Sequence, residues 1–262
     1  MSLRCASGAS GRRGSGRHRS KASLWRTTGD VRDTWSGAGG IITLADETEP
    51  LAVWAGPGGW NDPDMLVAGL RGRSRANAAG TIGCTDAEYR TQVSLWAILA
   101  APMFASCDLR TADAATVAAL ATPGVLAIDQ DPMGEPGHRI QRIGSVDVWE
   151  RRLSDGARAV AVVNRADEGA SVHLEWPEAH AGPPEVIDAW TDELLDHRRG
   201  QIDLERAPPP AALRRGRPQG PLKVKLSMTT SAGCPSCGAA PRKSHKLMRG
   251  FSPPGTGTSA PV

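Results

Sequence analysis

The residues best equipped for chemistry lie close together. Trp60-Asn61-Asp62-Pro63-Asp64-Met65 packs an indole, an amide, two carboxylates and a thioether into six positions. The stretch belongs to a longer run, Ala55-Gly56-Pro57-Gly58-Gly59-Trp60, in which three glycines and a proline exclude an ordinary helix or strand. Loops of this composition carry function when a rigid scaffold holds them. The alternative is a tight turn that packs the end of a barrel. Upstream, Arg26 and Asp30 stand four residues apart. A lone Arg-x-x-x-Asp is ordinarily a surface ion pair, although a guanidinium can also bias the charge of neighbouring carboxylates.

Composition sets the frame. The net charge of +3 over 262 residues conceals an uneven distribution. Residues 1–22 and 207–262 hold fifteen Lys/Arg and no acid, whereas residues 23–206 hold sixteen arginines, no lysine and all 28 acidic residues, a net of −12. The middle is an acidic globular segment, and its charge gives no reason to expect nucleic acid. No apolar run approaches a membrane span. The N-terminus superficially resembles an organelle transit peptide, but it is read as a disordered basic segment. It has no apolar stretch of a secretory signal, so the cytoplasm is the default compartment. The Pro/Arg-rich tail, 207–262, is also expected to be disordered. Cys234-Pro235-Ser236-Cys237 has metal-like spacing but no second ligand pair, so no metal site is expected. Cys84 and Cys107 flank one helix-strand unit, and a disulfide between them stays open.

The elements that must position the candidate residues follow from pattern. Ser23 to Asp30 reads as the end of a strand and its loop. Asp33 or Thr34 is expected to cap a helix, and Leu51-Ala52-Val53-Trp54 to be a buried strand that delivers the glycine loop. Residues 71–79 read as an exposed loop. Thr85-Asp86-Ala87-Glu88 is a capping box, and Tyr89, Val93, Trp96, Ala97 and Ala100 recur at helical spacing as one buried face. Met103-Phe104-Ala105 is a strand candidate. Thr111 is expected to cap a helix from Ala112 to about Ala121, and Val125-Leu126-Ala127-Ile128 to form a further strand. From Gln141 the period becomes two, in Val146/Val148, Val160/Val162, Val172/Leu174/Trp176 and Ile202/Leu204, with a hairpin turn at Asp155-Gly156. The reading is an α/β segment at 23–140 built from parallel strands, then a small antiparallel β-domain at 141–206.

The glycine loop closely resembles the most characteristic motif of the α-galactosidases of glycoside hydrolase family 27, the melibiase type. Leu24-Trp25-Arg26-Thr27-Thr28-Gly29-Asp30-Val31 is similar to the segment that carries that family's acid/base aspartate. Cys84-Thr85-Asp86-Ala87-Glu88-Tyr89-Arg90-Thr91, Ser94-Leu95-Trp96-Ala97, Ala101-Pro102-Met103, Cys107-Asp108-Leu109-Arg110 and Ile128-Asp129-Gln130-Asp131-Pro132-Met133-Gly134 follow in family order.

The resemblance implies the C-terminal part of a (β/α)8 TIM barrel, followed by a β-sandwich. It implies a retaining glycosidase acting on terminal α-linked galactose, with no metal or organic cofactor and no nucleic-acid or membrane partner. Two carboxyl groups flank the scissile bond in such chemistry, one as acid/base and one as nucleophile. Asp30 matches the acid/base. Arg26 matches a sugar-binding arginine, and Met65 a position lining the galactose pocket. Trp60 is expected either under the sugar or supporting the loop, and Asp62 to stabilise the pocket by hydrogen bonds. Asn61 and Asp64 are expected to bond the loop's own backbone. Asp108, Asp129 and Asp131 are read as structural. One departure is large: the family's nucleophile motif, resembling Lys-Tyr-Asp-Tyr-Cys, is absent, and residues 23–140 are under half of the roughly 250 residues a barrel needs. The chain is therefore expected to have little or no activity alone, as a truncated enzyme, with a galactoside-binding remnant or a non-functional fragment as the alternatives.

Overall fold

The structure is a computed structural model that describes residues 23–75, 77, 79–166, 170, 173–175, 185–194, 201–203, 212–213 and 223–230. The expectations for residues 1–22, for Val172, Trp176 and Leu204, and for the Cys234/Cys237 pair lie outside the described residues.

The first part is a short parallel arc with helices against it. Strand β1 (Leu24–Arg26) pairs in parallel with β2 (Trp60–Asp62), Leu24 opposite Trp60 and Arg26 opposite Asp62. A single parallel bridge from Leu66 to Ala105 continues the arc, where a full strand at Met103–Ala105 was expected. Between the strands lie α1 (Ile41–Thr48) and a 3-10 turn at Glu49–Trp54. Helices α2 (Asp86–Ile98), α3 (Ala114–Ala121) and α4 (Pro123–Asp129) follow.

Four local expectations are corrected. Leu51–Trp54 is no buried strand: Pro50 starts a 3-10 turn instead, and Val53 is 80% exposed. Helix α1 begins at Ile41, not near Asp33, because Gly37 and Gly39 turn the chain at positive φ before it. The Asp33 carboxylate is taken by longer-range donors: the backbone N–H groups of Gly72 and Cys84 and the Tyr89 hydroxyl. The cap of α3 is Asp113, whose carboxylate accepts from Thr116 N at 2.7 Å, and not Thr111. Val125–Ile128 is helical within α4, since Pro123 sits at the first helical position and only Val125 and Ile128, three apart, turn inward.

The second part is a sheet. Strands β3 (His138–Ile143), β4 (Val146–Arg152) and β5 (Ala157–Asn164) form an antiparallel meander, with the expected turn at Asp155-Gly156 and Gly156 at φ +80°. Strands β6 (His173–Glu175) and β8 (Gln201–Asp203) pair antiparallel as a separate ribbon. Strands β7 (Glu185–Asp188), β9 (Ala212–Leu213) and β10 (Lys223–Thr230) complete the larger sheet. The sheet is mixed rather than purely antiparallel: β10, from the stretch read as a structureless tail, runs parallel between β5 and β7. Period-two patterning cannot reveal which strand inserts between two others.

One core serves both parts. Leu44, Leu66, Leu95, Ile98 and Ile128 pack with Trp149, Leu153, Ala159, Val163 and Ala189. An ionic cluster joins the parts at their rim. Asp147 on β4 is fully buried and accepts from Arg142 and Arg165, with Arg139 at 3.3 Å. Arg139 and Arg165 also reach Asp46 on α1, and Arg139 pairs with Glu49 at 3.0 Å. Burial pushes the Asp46 carboxyl up, but hydrogen bonds from the two arginines outweigh it and hold the group below the usual carboxylate range. Because Asp147 is the shared anion of three guanidinium groups, Asp147→Ala should lower unfolding stability by about 3 kcal/mol or more. A urea titration followed by tryptophan fluorescence measures this.

Candidate active site

Strand alternation sorts the residues. Leu24, Arg26, Trp60 and Asp62 share one face of the β1–β2 pair, and Trp25 and Asn61 share the other. On the second face Trp25 Nε1 donates to Asn61 Oδ1 at 3.0 Å, and Asn61 Nδ2 donates to Leu51 O at 2.7 Å. Asn61 is 2% exposed and structural, and its partner carbonyl lies in the 3-10 turn rather than in its own loop.

The first face carries the charged groups, at the C-terminal ends of the strands. Arg26 donates to Asp64 Oδ2 at 2.5 Å, to Asp30 Oδ1 at 3.1 Å and to Gly29 O at 2.8 Å. The two carboxylates it joins differ sharply. Asp64 also accepts from Val31 N and Met65 N, and its side chain is 13% exposed. The Asp30 side chain is 86% exposed and makes only the Arg26 contact among its described hydrogen bonds. One carboxylate is locked; the other is held on one side and open on the other.

Asp62 supports this from below. Its Oδ1 accepts from Asp64 N at 2.9 Å, and its carbonyl accepts from Thr27 N at 2.9 Å. Burial raises the Asp62 carboxyl above its ordinary range, against the Asp64 N–H bond and the Arg26 charge. Asp64 itself sits at φ +86°, a left-handed conformation that Asp tolerates better than most residues. Met65 is 38% exposed beside it. The structure thus brings together Arg26, Asp30, Asp62 and Met65 of the sequence-selected residues, and adds Asp64 as the group that fixes Arg26. The Asp64–Arg26 contact spans 38 positions, and no local spacing could have shown it.

Trp60 lies one strand step away from the charged cluster, opposite Leu24. It lines a cavity of about 450 Å³ with Leu24, Pro57, Ala101, Pro102 and Asp129. Its ring packs against Gly134, where an added Cβ would approach it to 2.7 Å. Asp129 and Asp131 are on this side as well; Asp131 is occupied by Met133 N, Ser154 N and the Ser154 hydroxyl. Asp108 pairs with Arg110 at the surface. Cys84 and Cys107 are not bonded to each other.

Two substitutions probe this arrangement. Asp64→Asn keeps a residue suited to left-handed backbone but loses the charge on Arg26, and should cost about 1–2 kcal/mol, with Asp64→Ala costing more; thermal melts of the two variants check the order. Burial pushes the Asp129 carboxyl up to about 6, against Gln130 and Arg151. Its folded value exceeds the unfolded one of 3.8, so its contribution is fully present below about pH 4 and lost as pH rises through 6. Asp129→Asn should therefore flatten stability between pH 4 and 6. It should also stabilise the fold at pH 7 by roughly 1–2 kcal/mol, the full shift being discounted for partial exposure. Unfolding curves across that pH range measure both effects.

Comparison with known proteins places the chain. Residues 15–131 match the family described as Alpha galactosidase A, and residues 134–186 match its C-terminal beta sandwich domain. An alpha-galactosidase of rice (Oryza sativa subsp. japonica) is 37% identical over 187 residues, covering 70% of this chain and 41% of the relative. Alpha-galactosidase 3 of Arabidopsis thaliana is 40% identical over 177 residues, covering 66% and 37%. The crystal structure of a candidate alpha-galactosidase/melibiase from Bacteroides fragilis superimposes with a TM-score of 0.65 at 34% identity, covering 70% of this chain and 40% of that one. The chain thus spans about two fifths of the length of these relatives. Over residues 15–186 the chain belongs to the α-galactosidases of glycoside hydrolase family 27, whose fold is a TIM barrel with a C-terminal β-sandwich.

Proposed function

We propose that the Arg26–Asp30 corner is the acid/base side of a retaining α-galactoside hydrolase site. The observation that carries the reading is the contrast between the two carboxylates on Arg26: Asp64 is fixed by three donors, and Asp30 stands free on its outer side. An acid/base must meet substrate, and only an accessible carboxyl can. It protonates the departing glycosidic oxygen while a second carboxylate attacks the anomeric carbon. It then takes a proton from the water that splits the glycosyl ester, and both carboxyls return to their starting states. Arg26 holds Asp30 and can present its remaining N–H groups to sugar hydroxyls. Met65 offers a soft apolar wall beside them.

Among the described residues, a second carboxylate in the nucleophile's place is not evident. Asp62 and Asp64 are the near neighbours on the same loop, and both are engaged by backbone donors. The chain alone is therefore expected to turn over little or no chromogenic α-galactoside. The test compares wild type with Asp30→Asn on α-galactoside, α-N-acetylgalactosaminide and β-L-arabinopyranoside, the sister substrates of this family. Turnover that disappears in Asp30→Asn would overturn the expectation of inactivity and demand a nucleophile among the chain's own carboxylates. Absence of turnover in both, with galactose binding retained, would favour a non-catalytic galactoside-binding role.

A further inference from the structure

The segment after Asp30 carries a second charge. Val31 is buried, and Asp30 and Arg32 on either side of it are exposed. Gly39 is the surface both pack on. An added Cβ there would meet Asp30 O at 2.4 Å and Arg32 Cγ at 3.1 Å, and Arg32 N donates to Gly39 O at 2.8 Å. The Arg32 stem is thus seated beside the Asp30 backbone, with its charged end toward water. The loop that carries Arg73, Arg75 and Asn77 is tied to the same segment. Asp33 Oδ2 accepts from Gly72 N at 2.6 Å, Asp33 N donates to Asn77 Oδ1 at 2.8 Å, and Asn77 Nδ2 donates to Asp33 O at 3.2 Å. These bonds bring the exposed Arg73 and Arg75 to the rim on which Arg32 stands. The acids around them are engaged. Asp33 is fully buried, Asp86 and Asp113 both hold Arg71, and Asp64 holds Arg26. Arg32, Arg73 and Arg75 have no ion pair among the described residues. Arg73 Nε bonds Leu70 O at 3.1 Å, which orients the guanidinium without neutralising it.

We propose that Arg32, Arg73 and Arg75 form a binding rim for a carboxylate on the leaving-group side of the substrate, so that the site takes acidic α-galactosides. The placement rests on the function proposed above. An acid/base touches the departing oxygen, so the leaving group extends outward past Asp30, while the galactosyl ring sits toward Arg26 and Met65. Guanidinium forks match a carboxylate, and unpaired ones at an exposed rim attract it over about 10 Å at 0.1 M salt. A neutral leaving group gains nothing from these cations. The net −12 of residues 23–206 disfavours a polyanion such as nucleic acid, so a small, singly charged ligand is the one that fits.

The test uses the full chain with α-galactosyl gluconate and α-galactosyl glucitol, probes that differ only in a carboxylate against a CH₂OH group. Ligand-detected NMR titrations give both affinities. The gluconate should bind about threefold tighter at low salt, and the margin should shrink at about 0.1 M salt as screening grows. Arg32→Gln and the double variant Arg73→Gln/Arg75→Gln should each reduce the margin and leave glucitol binding unchanged. Arg32→Lys keeps the charge and should preserve part of the margin. Arg152→Gln, on an exposed arginine at the end of β4 that also has no ion pair among the described residues, should change nothing. Thermal melts establish that the variants fold. Equal affinity for the two probes, with galactose displacing both, would overturn the charge preference and leave the Arg26–Asp30 reading standing. Gluconate binding that galactose does not displace would mark a plain anion site and overturn the assignment to the leaving group. Binding of neither probe nor galactose would sink the proposal together with the function it rests on.

Discussion

The site depends on how helix α2 grips the loop that follows β2. That loop has no ladder of its own, so its buried backbone groups need partners from elsewhere. Buried polar side chains on α2 supply them. Trp96 Nε1 donates to Asp64 O at 2.8 Å. The Gln92 amide works in both directions, accepting from Val67 N at 2.8 Å and donating to Met65 O at 3.1 Å. An unpaired buried amide would cost about 1–3 kcal/mol, so each bond is needed to hold the irregular backbone. Through it the left-handed Asp64 is fixed, through Asp64 the Arg26 guanidinium, and through Arg26 the inner side of Asp30.

The same helix explains why the β-domain and the barrel arc share one core. Eleven of the thirteen α2 residues are buried, so it packs on all sides and not along one stripe. The Arg151 guanidinium from β4 donates to Ala97 O, and Gly137 N donates to Ile98 O at 2.7 Å. Trp190 Nε1 reaches the Ser94 hydroxyl at 3.3 Å. The end of α2 is therefore built into the sheet, and the loop it grips on one side is braced by the β-domain on the other. Arg139 reinforces this joint by spanning Asp46, Glu49 and Asp147 while its guanidinium lies over the Trp149 ring at 5.1 Å.

Local chemistry was legible wherever the partners lie within a few residues. The Thr85–Glu88 capping box forms with both bonds in place. The turn at Asp155-Gly156 and the strands around Val146/Val148 and Val160/Val162 stand where turn residues and period two put them. Short apolar runs were not legible in this way. Leu51–Trp54 and Val125–Ile128 read equally well as strand or helix, and in both a proline at the start tipped the backbone into a helical turn. Asp33 read as a cap because a cap is the local use of an aspartate, but donors 39, 51 and 56 positions away claimed it.

The sequence by itself determined the family, the order of its blocks, the residues at the Arg26–Asp30 corner and the absence of a recognisable nucleophile motif. These follow from residue type and near spacing, which the chain carries without folding. Only the tertiary structure decided that Asp64 belongs to that corner, that Trp60 serves a cavity one step away, and that β10 enters the sheet in parallel between β5 and β7. Each of these depends on contacts between residues tens of positions apart. Their energy comes from burial and charge pairing that exist only once the elements have packed.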